Sequence, residues 1–219
     1  MCFLIVMGLG YSDVIVFSSY NTRAEITKEG TLHVVKELTL KNTGRAPIIP
    51  GELHFRMYEK DDKGEKPSKI TGFSAKGHYD DTLAIQKLDY PSQTELVIDI
   101  WEPILPGFIY NFKVEYDVEF KPKGILFYDL VMPEEKTTIP IESQVYQLTV
   151  PKNKHITYTV GGKVSDNKIV WENINSPQLE YSIIPMPKLP IRAVNVFWFS
   201  IIIILCVLLA LKIFKKEER

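Results

Sequence analysis

Cysteine is almost missing from this chain: of 219 residues only Cys2 and Cys206 are cysteines, and each falls within an apolar segment near one end. The long middle stretch can therefore build neither a disulfide framework nor a paired-cysteine metal site. It also lacks an N-x-Ser/Thr sequon, since Asn21 precedes Thr22 and Arg23, and Asn42 precedes Thr43 and Gly44. Together these absences favour a prokaryotic envelope protein. Charge of one sign is lacking too. Lys and Arg number 26 against 27 Asp and Glu, for a formal net charge of -1, and no long run of like charge occurs. That balance provides no electrostatic footprint for nucleic acid.

Motifs of catalysis are equally sparse. The four histidines, His33, His54, His78 and His155, match no metal-ligand spacing. GFSAKG, residues 72–77, has one residue too many for a nucleophile elbow and is not set between a strand and a helix. No phosphate-cradling loop is present, and no residue set calls for a cofactor or a metal. One compact group of titratable side chains remains, at His78, Tyr79, Asp80 and Asp81, and its commonest role in a loop is solvated charge.

What the sequence does contain is apolar residues in two patterns. Residues 193–211, AVNVFWFSIIIILCVLLAL, carry no charge. As a helix they span roughly 28 Å, which matches the hydrocarbon thickness of a bilayer. Lys212, Lys215, Lys216 and Arg219 crowd the end of this run, with Lys188 and Arg192 before it. By the positive-inside rule, residues 212–219 form a cytoplasmic tail. Residues 1–10, MCFLIVMGLG, have the apolar stretch and small residues of a secretory signal, although no Lys or Arg precedes them.

Between these ends the period is two, which sends alternate side chains to opposite faces of a strand. Leu32, Val34, Leu38 and Leu40 share one face, interrupted by Lys36, whose place in the pattern suggests a bulge. In FIYNFKVEYDVEF, residues 108–120, Phe108, Tyr110, Phe112, Val114, Tyr116, Val118 and Phe120 alternate with mostly polar residues. Gly and Pro turns separate the runs, so residues 11–121 read as a β-sandwich, most simply an immunoglobulin-like one. Shorter alternating pieces over 122–184 suggest a smaller second β unit. Pro185, Pro187 and Pro190 make 185–192 a stiff stalk, holding the β units roughly 20 Å from the bilayer.

The run ILFYDLVM, residues 125–132, interrupts the alternation. It reads either as a strand buried on both faces or as an exposed patch for a partner, with Phe127, Tyr128, Leu130 and Met132 as contacts. Trp101, out of phase with Ile98 and Ile100, is a further candidate contact.

ITKEGTLHVVKELTLKNTG and LPGFIYNFKVEYDVEF resemble prokaryotic, archaeal-type membrane-anchored immunoglobulin-like ectodomains. Leu40, Asn42 and Gly44 fit their corner motif, and Pro106, Gly107 and Tyr116 their later strand. Over residues 25–150 the order of elements is also similar to the lumenal part of ribophorin I, a single-pass subunit of oligosaccharyltransferase.

The expectation is an all-β ectodomain with one C-terminal transmembrane helix, in a single-pass type I cell-membrane protein. It acts without catalysis, by binding a protein partner near the outer membrane face. An accessory subunit of a membrane enzyme complex, oligosaccharyltransferase-like or part of a protein-export machine, is the second reading. A hydrolase using His78, Asp80 and Asp81 is the third.

Overall fold

The computed structural model describes residues 14–27, 30–61, 64–119, 122–174 and 176–217, so the signal segment expected at 1–10 lies outside the described residues. Strands β1 (Ile15–Ile26), β2 (Thr31–Asn42), β3 (Gly51–Asp61), β4 (Gly64–Pro67) and β5 (Lys69–Lys76) come first. They are followed by β6 (Ile85–Asp89), β7 (Thr94–Ile100), β8 (Ile109–Glu119), β9 (Phe127–Val131) and β10 (Glu134–Thr137). Then come β11 (Gln144–Thr149), β12 (His155–Thr159), β13 (Lys163–Ser165), β14 (Lys168–Glu172) and β15 (Gln178–Ser182), and finally a helix, α1 (Ala193–Glu217). The protein is mainly β-sheet with one C-terminal apolar helix.

Three sheets result. The first runs β13-β14-β11-β1-β2-β8-β5, the second β10-β3-β7-β6 with β4 also on β3, and the third β12-β15-β9. Strand pairs are antiparallel except β1 with β11, which are parallel. Residues 122–184 contribute to all three sheets: β11, β13 and β14 widen the first, β10 edges the second, and β9, β12 and β15 make the third.

The two-residue period explains the core directly. Leu32, Val34, Leu38 and Leu40 of β2 point inward, and Tyr110, Phe112, Val114, Tyr116 and Val118 of β8 join them. Leu38 lies opposite Phe112, and Val34 opposite Tyr116. Phe55 of β3, in the second sheet, packs 6.1 Å from Phe17 of β1 and 6.5 Å from Phe112, ring centroid to centroid. These rings bring the first two sheets together, each buried side chain contributing about 1.5–3 kcal/mol. Phe108 belongs to the alternating run but is exposed, and Phe120 lies outside the described residues.

Lys36 does not mark a bulge. It sits in unbroken register between Thr22 and Val114, and the slip between β1 and β2 falls at Phe17 and Ser19. The regular pleat therefore carries the Lys36 side chain inward.

The 185–192 segment is not a spacer either. The Leu189 N–H donates to the Thr157 carbonyl at 2.7 Å, and Arg192 Nη1 pairs with Asp129 Oδ2 at 3.0 Å. The next residue, Ala193, is fully buried. Proline stiffens this segment but does not straighten it away from the β body, because the buried Glu180 carboxylate of β15 holds the helix start. It accepts from the Ala193 N–H at 2.7 Å and the Val194 N–H at 3.3 Å. A carboxylate there satisfies orphan amides and complements the helix dipole. From Ala193 to Lys212, α1 is long and apolar enough to cross a membrane, with a mean hydropathy of 2.8.

Candidate functional site

Asn42 ends β2 fully buried, and its side chain ties two loops into one surface. Its Oδ1 accepts from the Gly44 N–H at 2.8 Å, while Nδ2 donates to the Ala46 carbonyl at 2.9 Å and to the Ile104 carbonyl at 2.8 Å. Its backbone N–H donates to the Phe108 carbonyl at 3.1 Å, and its carbonyl accepts from Gly107 at 2.9 Å. Loops 43–50 and 101–108 are thereby fixed to each other, and Ile48 and Ile104 exchange a pair of backbone hydrogen bonds between them. Residues 105–108 form a turn closed by Phe108 N–H to Leu105 O at 3.0 Å. Pro106 presets its first central position, and Gly107 supplies the positive φ of 78° that its second requires.

This pole exposes large apolar side chains on rigid backbone. Trp101 is 66% exposed and Phe108 64%, and Ile49, Leu105 and Ile109 are also exposed. Only 4.0 Å separates the Trp101 ring from where a Cβ on Gly51 would stand. The pole faces away from α1. β8 runs its 11 residues, about 33 Å, from Ile109 at this pole to Glu119, which lines a groove together with Arg192.

Three of the other four expected contacts are not at the surface. Phe127, Leu130 and Met132 are buried, and the apolar side chains that 125–132 does expose are Ile125 and Val131. The Phe127 ring lies 5.7 Å from Phe197 of α1, and Leu130 and Met132 join the main core. Tyr128 is half-buried, stacked 5.3 Å from Tyr181 with Lys154 Nζ 5.2 Å over its ring. Of the five expected contacts, Trp101 stands free, far from the rest.

His78, Asp80 and Asp81 occupy the turn after β5 without forming an acid-base pair. His78 Nδ1 accepts from the Asn111 N–H at 3.4 Å, whereas Asp80 pairs with Lys76 at 2.8 Å. That hydrogen bond holds the Asp80 carboxyl below its usual range. Asp81 Oδ1 accepts from the Tyr79 N–H at 3.3 Å. Tyr110 Oη sits 2.7 Å from where a Cβ on Gly77 would stand, so this turn needs glycine for close packing. Among the described residues, no group of three or more His, Cys, Asp or Glu side chains is gathered for a metal.

Sequence reasoning missed a buried charge cluster. Lys36 Nζ is ion-paired with Glu135 of β10 and donates to Tyr20 Oη at 3.1 Å, while Tyr20 Oη donates to Glu135 Oε1 at 2.5 Å. The ammonium also lies 5.0 Å from the Tyr20 ring centroid and 5.7 Å from that of Tyr116. Burial lowers the Lys36 pKa, with Glu135 pulling the other way; burial, reinforced by Glu135, raises those of Tyr20 and Tyr116. The arrangement pins edge strand β10 to β2 across the two sheets. Only the lysine breaking an apolar period hinted at it.

No family model matches the chain. The uncharacterized protein MJ1395 of Methanocaldococcus jannaschii is 30% identical over 131 residues, which are 57% of this chain and 89% of that protein. Among solved structures, a putative nutrient binding protein of Legionella pneumophila is similar at 10% identity with a TM-score of 0.46, over 77% of this chain and 67% of that one. An M1 zinc metallopeptidase of Deinococcus radiodurans is 9% identical with a TM-score of 0.44, over 78% of this chain and 43% of its own. Yeast LTA4 hydrolase is 7% identical with a TM-score of 0.44, over 77% and 29%. The chain thus spans less than half the length of either of these two enzymes.

Proposed function

We propose, for a chain that belongs to the family of the Methanocaldococcus jannaschii protein MJ1395, a non-enzymatic role as a single-pass cell-membrane protein that binds a protein partner through its helix-distal pole. We read the facing sheets as an immunoglobulin-like sandwich, with β1-β2-β8-β5 set against β3-β7-β6. The β body stands outside the cytoplasm, because Lys212, Lys215, Lys216 and Arg219 follow the apolar span.

The observation that carries the binding role is the pole around Trp101. Exposed aromatic and aliphatic residues on loops locked by a buried Asn42 offer a preorganised apolar surface. Aromatic anchors of this kind dominate protein interfaces. The same surface suits an accessory subunit of a larger membrane complex, the partner then being a subunit of that complex.

A photo-crosslinking amino acid at Phe108 in native membranes tests the reading. The expected result is one discrete adduct that disappears on Trp101→Ala, with none from the same group at Lys163 on β13. Equal, diffuse labelling from both positions would contradict it.

A further inference from the structure

Helix α1 and the sheet β12-β15-β9 run side by side. At the helix start, Arg192 meets Asp129, and the Ala193 N–H meets Glu180; Asp129 and Glu180 are opposite each other in the sheet. Five residues further along α1, Phe197 packs on Phe127, which is two residues from Asp129 on β9. Both steps cover about 7 Å, at 1.5 Å per helical and 3.3 Å per strand residue. The strand tip and the helix therefore travel in the same direction. Lys123 bridges back to Asp129, so the chain reverses over residues 124–128 and Ile125 comes about level with Phe127 and hence with Phe197.

The tip is unlike the rest of the β body in its chemistry. It consists of residues 124–127 and 183–187, with no charge in either segment. Ile125 is 84% exposed, and Ile183 and Ile184 are exposed beside it. Some of its backbone polar groups are satisfied within the tip. The Ile183 N–H donates to the Leu126 carbonyl at 3.3 Å and the Ile184 N–H to Ser182 Oγ at 2.9 Å, while Pro185 and Pro187 have no N–H.

Charge returns at the base and flank, where Lys123, Asp129, Lys188 and Arg192 stand, with Lys152 and Lys154 in the loop before β12. Lys152, Lys154, His155 and Lys188 line a groove of about 570 Å³ in which Asp166 is the one acidic residue. No described carboxylate forms an ion pair with Lys152, Lys154 or Lys188. Cations bordering an apolar surface are placed to meet lipid phosphates.

We infer that this tip is a wedge inserted in the membrane leaflet on the β-body side, its isoleucines among the acyl chains and the flanking lysines at the phosphates. The wedge rests on the reading that α1 spans the bilayer. Continuity is what selects lipid as the occupant: the tip lies along the first two turns of a helix that needs all of Ala193–Lys212, about 30 Å, to cross the hydrocarbon. The tip and those two turns then lie at one depth. The body cannot swing freely, and its distal pole is held at a fixed height above the membrane.

The full-length protein is reconstituted in phosphatidylcholine vesicles carrying brominated acyl chains, with Cys2 and Cys206 replaced by serine. A bimane probe is placed singly by Ile125→Cys, Ile184→Cys, Leu205→Cys or Trp101→Cys. The wedge requires strong quenching at positions 125, 184 and 205 and none at 101. Quenching at 205 with probes at 125 and 184 as bright as at 101 would overturn the wedge and leave the span intact. No quenching at 205 would overturn the span, and the wedge with it.

Discussion

Lys36 at the middle of β2 is ion-paired in the protein interior with Glu135 of β10, a residue 99 positions further along the chain. The lysine is almost fully buried, whereas the glutamate keeps 20% of its side chain exposed. The two partners therefore respond differently to removal of the other.

Glu135→Ala leaves an ammonium with no counter-charge in the core, at a cost of about 3–5 kcal/mol. Lys36→Met leaves a carboxylate that can still reach water, so its cost is smaller. Combining Lys36→Met with Glu135→Ala removes the stranded ammonium and restores much of the loss, which makes the double-mutant cycle strongly non-additive. Urea unfolding of the detergent-solubilised protein measures all three variants, and the expected order of stability is wild type, Lys36→Met, Glu135→Ala.

Alkaline pH should unfold the protein in a narrow range. Burial raises the pKa values of Tyr20 and Tyr116 well above the usual 10, and that of Tyr181 to about 12. A phenol whose folded pKa lies above its unfolded one contributes stability that is intact below about pH 10 and is lost as pH rises toward the folded value. Lys36, with its lowered pKa, works the other way as pH approaches 10.5, but several tyrosines outweigh it. Tyrosinate absorbance should therefore rise together with loss of the β-sheet circular dichroism signal. Titration of these phenols in a protein that stays folded would contradict the burial assigned to them.

Glu180→Ala should loosen the joint between the β body and α1. It frees the amides of Ala193 and Val194 and removes one of the two acceptors of Thr157 Oγ1, Glu180 Oε1 at 2.7 Å, leaving the Glu180 carbonyl at 3.1 Å. Loss of a helix cap costs about 0.5–2 kcal/mol. Hydrogen exchange at residues 193 and 194 should quicken by about 10-fold, the equivalent of 1.4 kcal/mol. Glu180→Gln, which keeps an acceptor oxygen, should fall between the two.

Asn42→Ala and Trp101→Ala should separate the folding of the distal pole from its use. Asn42 makes three side-chain hydrogen bonds, each worth about 0.5–1.5 kcal/mol, so its loss should lower stability by about 2–4 kcal/mol. Trp101, largely exposed, should change stability by no more than about 0.5 kcal/mol. Thermal unfolding checks both, alongside crosslinking from position 108, which each variant should abolish.

The sequence discloses those features whose signal is local. The alternation of β8 predicts which residues are buried from Tyr110 to Val118, because a period of two is written in neighbouring positions. The uncharged run ending in lysines marks α1, and the corner of Leu40, Asn42 and Gly44 falls where Asn42 organises its loops. Non-local partners leave no such trace. Residues 125–132 read equally as a buried strand or an exposed patch, and what decides is Phe197 and the core closing over Phe127, Leu130 and Met132. The 185–192 segment reads as a stalk until Glu180, from a strand that precedes it, is seen holding the helix start. Lys36 resembles a break in the pattern because its counter-charge comes from the facing sheet, 99 residues further along the chain.

The placement of the β body and the tail on opposite sides of the membrane is tested most directly by labelling intact cells with a membrane-impermeant maleimide. Cys2 and Cys206 are replaced by serine, and a single cysteine is introduced as Trp101→Cys or Lys216→Cys. The account predicts that position 101 is labelled in intact cells and position 216 only after permeabilisation. Labelling at 216 with protection at 101 would contradict it.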